Sequence, residues 1–217
     1  GVAIQGVPGA FHDIAARHCF EGQSIEIIPA ITFDQLVESA QSDSRVDVAL
    51  MAIENSIAGT LLPNYKRVHD SSLSIVGEVY LRIVQNLMAL PGQSIADLKE
   101  VHSHPIAIEQ CREFFRNFPS IKLIESEDTA LSAKYIRDGQ WKGIGAIASS
   151  LAAKMYDLNI LAPSIETNKA NHTRFWVLQP QKMAIIDDQA NKVSITFSVD
   201  HTVGSLYKVL AVLAAYN

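Results

Sequence analysis

Cysteine is scarce: the 217-residue chain has only Cys19 and Cys111. Two are too few for a disulfide framework, and no Cys/His spacing resembles a zinc site. Both read as free, mostly buried thiols, and no metal is expected. No apolar run reaches the roughly 18 residues of a membrane-spanning helix, so no membrane partner is expected. Basic runs are missing too. Eighteen Lys and Arg stand against 23 Asp and Glu, a net charge of −5, and no basic patch offers a footprint for nucleic acid. The opening residues Gly1 to Gly6 lack the charged region, long apolar stretch and cleavage site of a signal peptide, which points to the cytoplasm. There is no G-x-G-x-x-G turn, which disfavours a dinucleotide cofactor. No Ser–His–Asp order, paired carboxylates at helical spacing, internal repeat or low-complexity tract stands out.

What is present is ordinary globular material, 48% hydrophobic and 19% charged, enough to bury a core without staples. Short apolar runs alternate with helical spacing. Strands are expected at Val2–Ile4, Ile25–Ile28, Val46–Ile53, Val101–Ser103, Ile121–Ile124, Ile144–Ala148, Ile160–Leu161 and Arg174–Leu178. Helices are expected at Ala10–Cys19, at 33–42 behind an N-cap Thr32, from Pro105 to Phe115, at Asp128–Asp138 and after Ser149 or Ser150. The segments Leu73–Gln85 and Leu87–Leu90 read as a long connection. This pattern predicts an α/β fold in two lobes, the second inserted within the first, with a ligand cleft between them. Gln179–Asn191 is polar and reads as a linker. Val193–Val199 alternates with period two, the signature of a half-buried strand, and Leu206–Ala215 reads as an apolar helix.

Four segments can carry chemistry. Gly6-Val7-Pro8-Gly9-Ala10-Phe11 joins a strand to a helix, where glycines admit a ligand and free N–H groups suit an anion; an ordinary βα turn has the same form. Glu54-Asn55-Ser56, followed by Gly59, ends a strand, where open α/β sheets bind ligands. Asn55 and Ser56 can donate to a carboxylate or equally cap a helix. In Asn171-His172-Thr173-Arg174-Phe175, Arg174 offers a planar fork for a carboxylate, or a surface ion pair, and Thr173 a hydroxyl donor, or a plain strand residue. His104, in Ser103-His104-Pro105, is a possible acid or base, although a backbone partner at the start of a helix explains it more simply.

Taken in order, these segments resemble the prephenate dehydratase family. To them add Gln110 and Cys111, Asp128-Thr129-Ala130, Ala146-Ile147-Ala148-Ser149 with Ala152, Ala153 and Tyr156, and the Thr173-Arg174-Phe175 signature. The match covers about the first 178 residues. The tail resembles the start of an ACT regulatory domain, with Gly204-Ser205-Leu206 in place of a Gly-Ala-Leu turn that binds phenylalanine. Ser205 replaces the usual alanine, Val203 the usual proline, and the family's Glu-Ser-Arg-Pro motif does not occur.

The resemblance implies a type II periplasmic-binding-protein-like catalytic region over 1–180. Lobe 1 would take about 1–76 and 162–180, and lobe 2 about 77–161. A linker at 181–191 and the first part of an α+β, ferredoxin-like ACT module at 192–217 would follow. It implies decarboxylating dehydration of prephenate to phenylpyruvate, with no redox cofactor and no metal. Thr173 and Arg174 become the catalytic candidates. Gly9, Ala10, Phe11, Asn55, Ser56, Gly59 and Phe175 become the substrate-binding ones, and Gly204, Ser205 and Leu206 the phenylalanine site of a homodimer or homotetramer. A non-catalytic two-lobed module that binds a small anion or amino acid is the alternative.

Overall fold

The computed structural model describes residues 1–185 and 188–216. The chain divides into two compact units, Gly1–Ile185 and Ile186–Asn217.

The first unit holds two sheets. Sheet one contains β1 (Val2–Gln5), β2 (Ile27–Ala30), β3 (Val48–Asn55), β4 (Gly59–Thr60), β5 (Leu73–Arg82) and, far along the chain, β11 (His172–Pro180). Its order is β2-β1-β3-β11-β5, with β4 turned back on β3. β1 lies parallel to β2 and β3, while β11 runs antiparallel to β3 and β5. Sheet two takes the intervening chain: β6 (Asn86–Ala89), β7 (Glu100–Ser103), β8 (Lys122–Glu125), β9 (Ile144–Ala148) and β10 (Asn159–Ala162), in the order β10-β6-β9-β7-β8.

Helices cover both faces of each sheet, which is why the central strands are apolar throughout rather than alternating. On sheet one, α1 (Phe11–Cys19) packs Ala15 and Ala16 against Ile4, Leu50 and Phe175. On the other face, α2 (Phe33–Ser42) packs Leu36 and Ala40 against Met51, Ile53 and Trp176. α2 starts as its sequence dictates: the Thr32 hydroxyl accepts from the Gln35 N–H at 3.1 Å, and Gln35 Oε1 accepts from the Thr32 N–H in return. On sheet two, α4 (Pro105–Phe115) covers one face, while α5 (Thr129–Gly139) and α6 (Ser150–Met155) cover the other.

Several expectations are corrected. Both segments expected to be a connection are strands: Leu87–Leu90 falls largely in β6, buried between β10 and β9, and Leu73–Gln85 is largely β5, which runs from Leu73 to Arg82 at the edge of sheet one. With a neighbour on one side only, it stays half-exposed, and its sequence lacks the apolar run of a central strand. The expected lobe boundary at 76/77 therefore falls inside a strand. The chain crosses between sheets at residues 83–85 and returns at 163–171. A third helix of sheet one, α3 (Leu62–His69), is not among the expected elements, because few of its positions are apolar. Asn64 fills one of its buried positions by donating from Nδ2 to the Ala52 carbonyl at 2.8 Å.

In the second unit, α7 (Ser205–Ala215) follows Gly204, whose φ of +86° favours glycine. The expected strand at Val193–Val199 does not form: among the described residues nothing pairs with it, and an extended segment without a neighbour has no ladder to join. Ile186 and Asp187, in the expected linker, and Asn217, in the expected ACT part, lie outside the described residues.

Candidate active site

A cavity of about 320 Å³ opens within the first unit, between the two sheets. That volume suits a small organic ligand. Sheet one contributes Asn55, Thr173 and Phe175, and α1 contributes Phe11 and His12, with Ala10 just before it. The crossing chain supplies Ile83 and Gln85. His104, Gln110, Glu127 and Asp128 come from the side of sheet two. Phe33, Leu61 and Phe175 make an apolar wall.

Thr173 is 8% exposed and stands opposite Asn55 in the β3–β11 ladder. Asn55 Nδ2 donates to Thr173 Oγ1 at 2.9 Å and to Asn171 Oδ1 at 2.8 Å. Asn55 Oδ1 in turn accepts the N–H groups of Ile57, at 3.0 Å, and Ala58, at 2.8 Å. An oxygen facing two backbone donors fixes which way round the amide lies. The Thr173 hydroxyl is thereby an acceptor toward Asn55, so its own proton is not used in that bond, and the residue lines the cavity.

Side-chain alternation then separates the neighbours of Thr173. Phe175 faces the same cavity, whereas Arg174 lines an adjacent one with Glu54, Ser56, Gly59, Thr60, Tyr80 and His172; among the described residues, Asn55 alone lines both. Arg174 is held at 2.7 Å by Glu78 and at 3.3 Å by Glu54. Its partial burial opposes the charge, but the bonds from Glu78 and Glu54 outweigh this and raise its pKa. Tyr65 donates to Glu54 at 2.6 Å and, with Arg174, holds that carboxyl below its usual range. The candidate clamp is thus a brace across β3, β11 and β5. Ser56 is occupied as well: its hydroxyl donates to the Ala170 carbonyl at 2.8 Å and accepts the His172 N–H at 2.9 Å. Gly59, at φ +82°, turns β3 into β4.

The glycine turn sits where the two halves of the unit touch. A side chain on Gly9, at φ +92°, would come within 3.0 Å of the Ala152 backbone in α6. The Ser149 hydroxyl donates to the Gly9 carbonyl at 2.6 Å, and the Tyr156 hydroxyl donates to the Pro8 carbonyl at 2.6 Å. Asp13, fully buried, accepts the Gly9 N–H at 2.8 Å. The first turn of α1 lines the cavity at Phe11 and His12, and N–H groups at a helix start have no acceptor within the helix.

Electrostatics inside the cavity are unusual for their signs. Burial pushes His12 down to about 3, so it is neutral; its Nε2 accepts the Ala52 N–H at 3.4 Å. Burial also lowers His104, partly offset by Asp128 and Glu125, and its Nδ1 accepts the Ile106 N–H at 3.3 Å. Burial raises Asp128, against the N–H groups of Leu131 and Ala130 that bond its carboxylate. His12, Gln85 and Glu127 carried no signal as site residues in the sequence. His12 shares the buried face of α1 with Ala15 and Ala16, and Gln85 is a polar residue between the apolar runs of two strands.

A family model described as prephenate dehydratase matches residues 2–183. The chain belongs to the prephenate dehydratase family. It is 40% identical over 218 residues to arogenate dehydratase 2 of Petunia hybrida, covering 100% of this chain and 54% of the Petunia protein. It is 32% identical to a prephenate dehydratase of Lactococcus lactis, covering 98% of this chain and 76% of that one. The chain thus spans about half the length of the Petunia relative. The prephenate dehydratase of Arthrobacter aurescens, solved in complex with L-Phe, superposes with a TM-score of 0.80 at 23% identity, covering 99% of this chain and 72% of that one. The two-sheet, type II periplasmic-binding-like fold is therefore that of solved prephenate dehydratases. Among the described residues, no helix is long and apolar enough to cross a membrane.

Proposed function

We propose that this cavity dehydrates and decarboxylates prephenate to phenylpyruvate, with Thr173 donating to the departing hydroxyl. In this reaction the bond from the ring to its carboxylate breaks, releasing carbon dioxide. The electron pair moves through the ring, which becomes aromatic, and expels hydroxide at the far carbon. One proton converts that hydroxide to water. The observation that carries the reading is the 2.9 Å bond from Asn55 Nδ2 to Thr173 Oγ1, which leaves the hydroxyl proton free for the leaving oxygen. A threonine is a weak acid, so its contribution is a positioned hydrogen bond to developing negative charge.

The other residues follow from this orientation. The apolar wall of Phe33, Leu61 and Phe175 favours losing the ring carboxylate as neutral carbon dioxide, because a dry surface solvates an anion poorly. The start of α1, at Ala10 and Phe11, offers backbone donors to the remaining carboxylate. Gly9 keeps that turn close to α6. Asn55 orients Thr173, while Ser56, Gly59 and Arg174 act through strand geometry: Arg174 is a positioning residue for β11.

The reading extends to regulation by phenylalanine at Gly204, Ser205 and Leu206, to a homodimer or homotetramer, and to a cytoplasmic location. Its support is the family, the catalytic unit over 1–180, and a tail at 192–217 read as the start of an ACT module. The test is to incubate the purified chain with prephenate at neutral pH and follow phenylpyruvate by its absorbance in base. Catalytic formation is expected; binding of prephenate without phenylpyruvate would replace this reading with that of a binding module.

A further inference from the structure

α1 begins without a side-chain cap. Ala10 precedes it and supplies none, and the N–H groups of Phe11, His12 and Asp13 have no acceptor within the helix. Phe11 and His12 line the cavity. Such a helix start favours an anion; His12 gives it a side-chain donor as well.

The polarity of the His12 ring is fixed by its surroundings. The residue is only 8% exposed. Its Nε2 accepts the Ala52 N–H at 3.4 Å, which only an unprotonated nitrogen can do. Burial keeps the ring neutral, so its single proton is on Nδ1. Among the described residues the ring makes no second hydrogen bond, and nothing accepts from Nδ1. The fully buried side-chain nitrogens and oxygens that lack a partner there are Gln85 Oε1 and Gln93 Nε2. Nδ1 is not one of them, so this partnerless donor keeps accessible surface, and the space that His12 lines is the cavity.

The position of the ring indicates which part of the substrate it meets. His12 stands edge-on to Phe175, with ring centroids 4.9 Å apart. Phe175 and Thr173 share a face of β11, about 7 Å apart along the strand. A substrate with its leaving hydroxyl at Thr173 therefore extends its far end toward Phe175, His12 and the start of α1. In prephenate that end is the ring carbon bearing the ring carboxylate and the 2-oxo acid side chain. The ring carboxylate leaves as carbon dioxide, and a donor that held it as an anion would oppose that step. The side-chain carboxylate keeps its charge throughout. Among the described residues no lysine or arginine lines the cavity, so N–H donors must hold that carboxylate. Glu127 and Asp128 line the cavity from the side of sheet two, and burial favours the uncharged form of Asp128.

We propose that His12 is a substrate-binding residue whose Nδ1–H, together with the first-turn N–H groups of α1, holds the side-chain carboxylate of the substrate. This rests on the dehydratase reading above. The carboxylate persists from substrate through transition state to product, so the bond contributes alike to all three and sets KM rather than kcat.

The test uses phenylpyruvate, which retains the side-chain carboxylate but has lost the ring carboxylate and the hydroxyl. Its calorimetric Kd is compared in the parent, His12→Phe and His12→Asn, with KM and kcat for prephenate alongside. His12→Phe should raise both Kd and KM by roughly 10- to 100-fold, the range for a hydrogen bond to a charged group, with kcat within about threefold of the parent. His12→Asn, whose amide nitrogen can stand in the place of Nδ1, should recover most of the loss. In the parent, nitrogen NMR of His12 should show the proton on Nδ1, and the Nδ1 signal should move when phenylpyruvate is added. An unchanged Kd in His12→Phe, with the protein folded by circular dichroism, would overturn the proposal. A fall in kcat at constant KM would also overturn it, by placing His12 at a leaving group. Should His12→Phe not fold, the Nδ1 signal decides, and a stationary signal overturns the proposal. No turnover of prephenate by the parent would overturn the dehydratase reading, and the phenylpyruvate Kd values would then decide the role of His12 separately. Binding of neither compound overturns both.

Discussion

Asn55→Asp tests the polarity of the site with the smallest change in shape. The carboxylate retains an acceptor for the Ile57 and Ala58 N–H groups, bonded at 3.0 and 2.8 Å in the parent. It replaces the nitrogen that donates to Thr173 Oγ1 at 2.9 Å and to Asn171 Oδ1 at 2.8 Å. Thr173 must then donate to the new carboxylate, so its proton is withdrawn from the substrate. Removing one donor aimed at developing negative charge typically costs about 100- to 1,000-fold in rate, or roughly 3–4 kcal/mol. The Asn171 contact becomes one between two acceptors in a fully buried residue, costing about 1–3 kcal/mol of stability. The assay is steady-state phenylpyruvate formation from prephenate, with denaturant unfolding in parallel. The expected result is a kcat at least about 100-fold lower with a KM changed far less. A kcat within about threefold of the parent, equivalent to under roughly 1 kcal/mol, would refute the reasoning, because the direction of the Asn55–Thr173 bond would not matter.

Three further outcomes follow from the structure. Burial holds the folded-state pKa of His12 near 3, well below the 6.5 of a solvated histidine. Below pH 6.5 the unfolded chain takes up a proton that the folded chain refuses, so stability falls toward pH 3 by about 1.4 kcal/mol per pH unit. Asp128, raised by burial, acts in the opposite sense as pH climbs above 3.8, so the measurement is the difference between the parent and His12→Phe, in which the His12 slope should vanish. Gly9→Ala, at φ +92° and 3.0 Å from Ala152, should cost about 2–3 kcal/mol in thermal unfolding; an unchanged Tm would remove the close approach from the account. Arg174→Met should lower stability by only about 1 kcal/mol, since its partners are partly solvated, and should reduce kcat much less than loss of the Thr173 hydroxyl; an equal loss of kcat would place Arg174 at the substrate.

Much of this was legible in the sequence, for identifiable reasons. Strands such as Val48–Asn55 are buried on both faces, so their apolar runs name them. Thr32 and Ser149 are caps with a clear chemistry, and each accepts a helix N–H as expected; Asp128, expected as the first residue of its helix, is the cap before it. What was not legible depended on neighbours. Leu73–Arg82 is a strand only because β11 returns, about a hundred residues later, to pair with it. Val193–Val199 has the alternation of a strand but no partner among the described residues. At the site, the sequence brought Thr173 and Asn55 forward; that Arg174 faces away from Thr173 follows from strand alternation only once the strand is known to begin at His172 rather than at Arg174. His12 was invisible because its importance lies in what surrounds it, a dry pocket that keeps it neutral.

The central claim is that the Thr173 hydroxyl donates to the substrate from an orientation set by Asn55. The most direct measurement is kcat for prephenate in Thr173→Val and Thr173→Ser beside the parent. Valine keeps the shape and removes the hydroxyl; serine keeps the hydroxyl. The account predicts a loss of at least about 100-fold in Thr173→Val and near-parent turnover in Thr173→Ser. Equal rates in Thr173→Val and the parent, with prephenate still converted to phenylpyruvate, would contradict it.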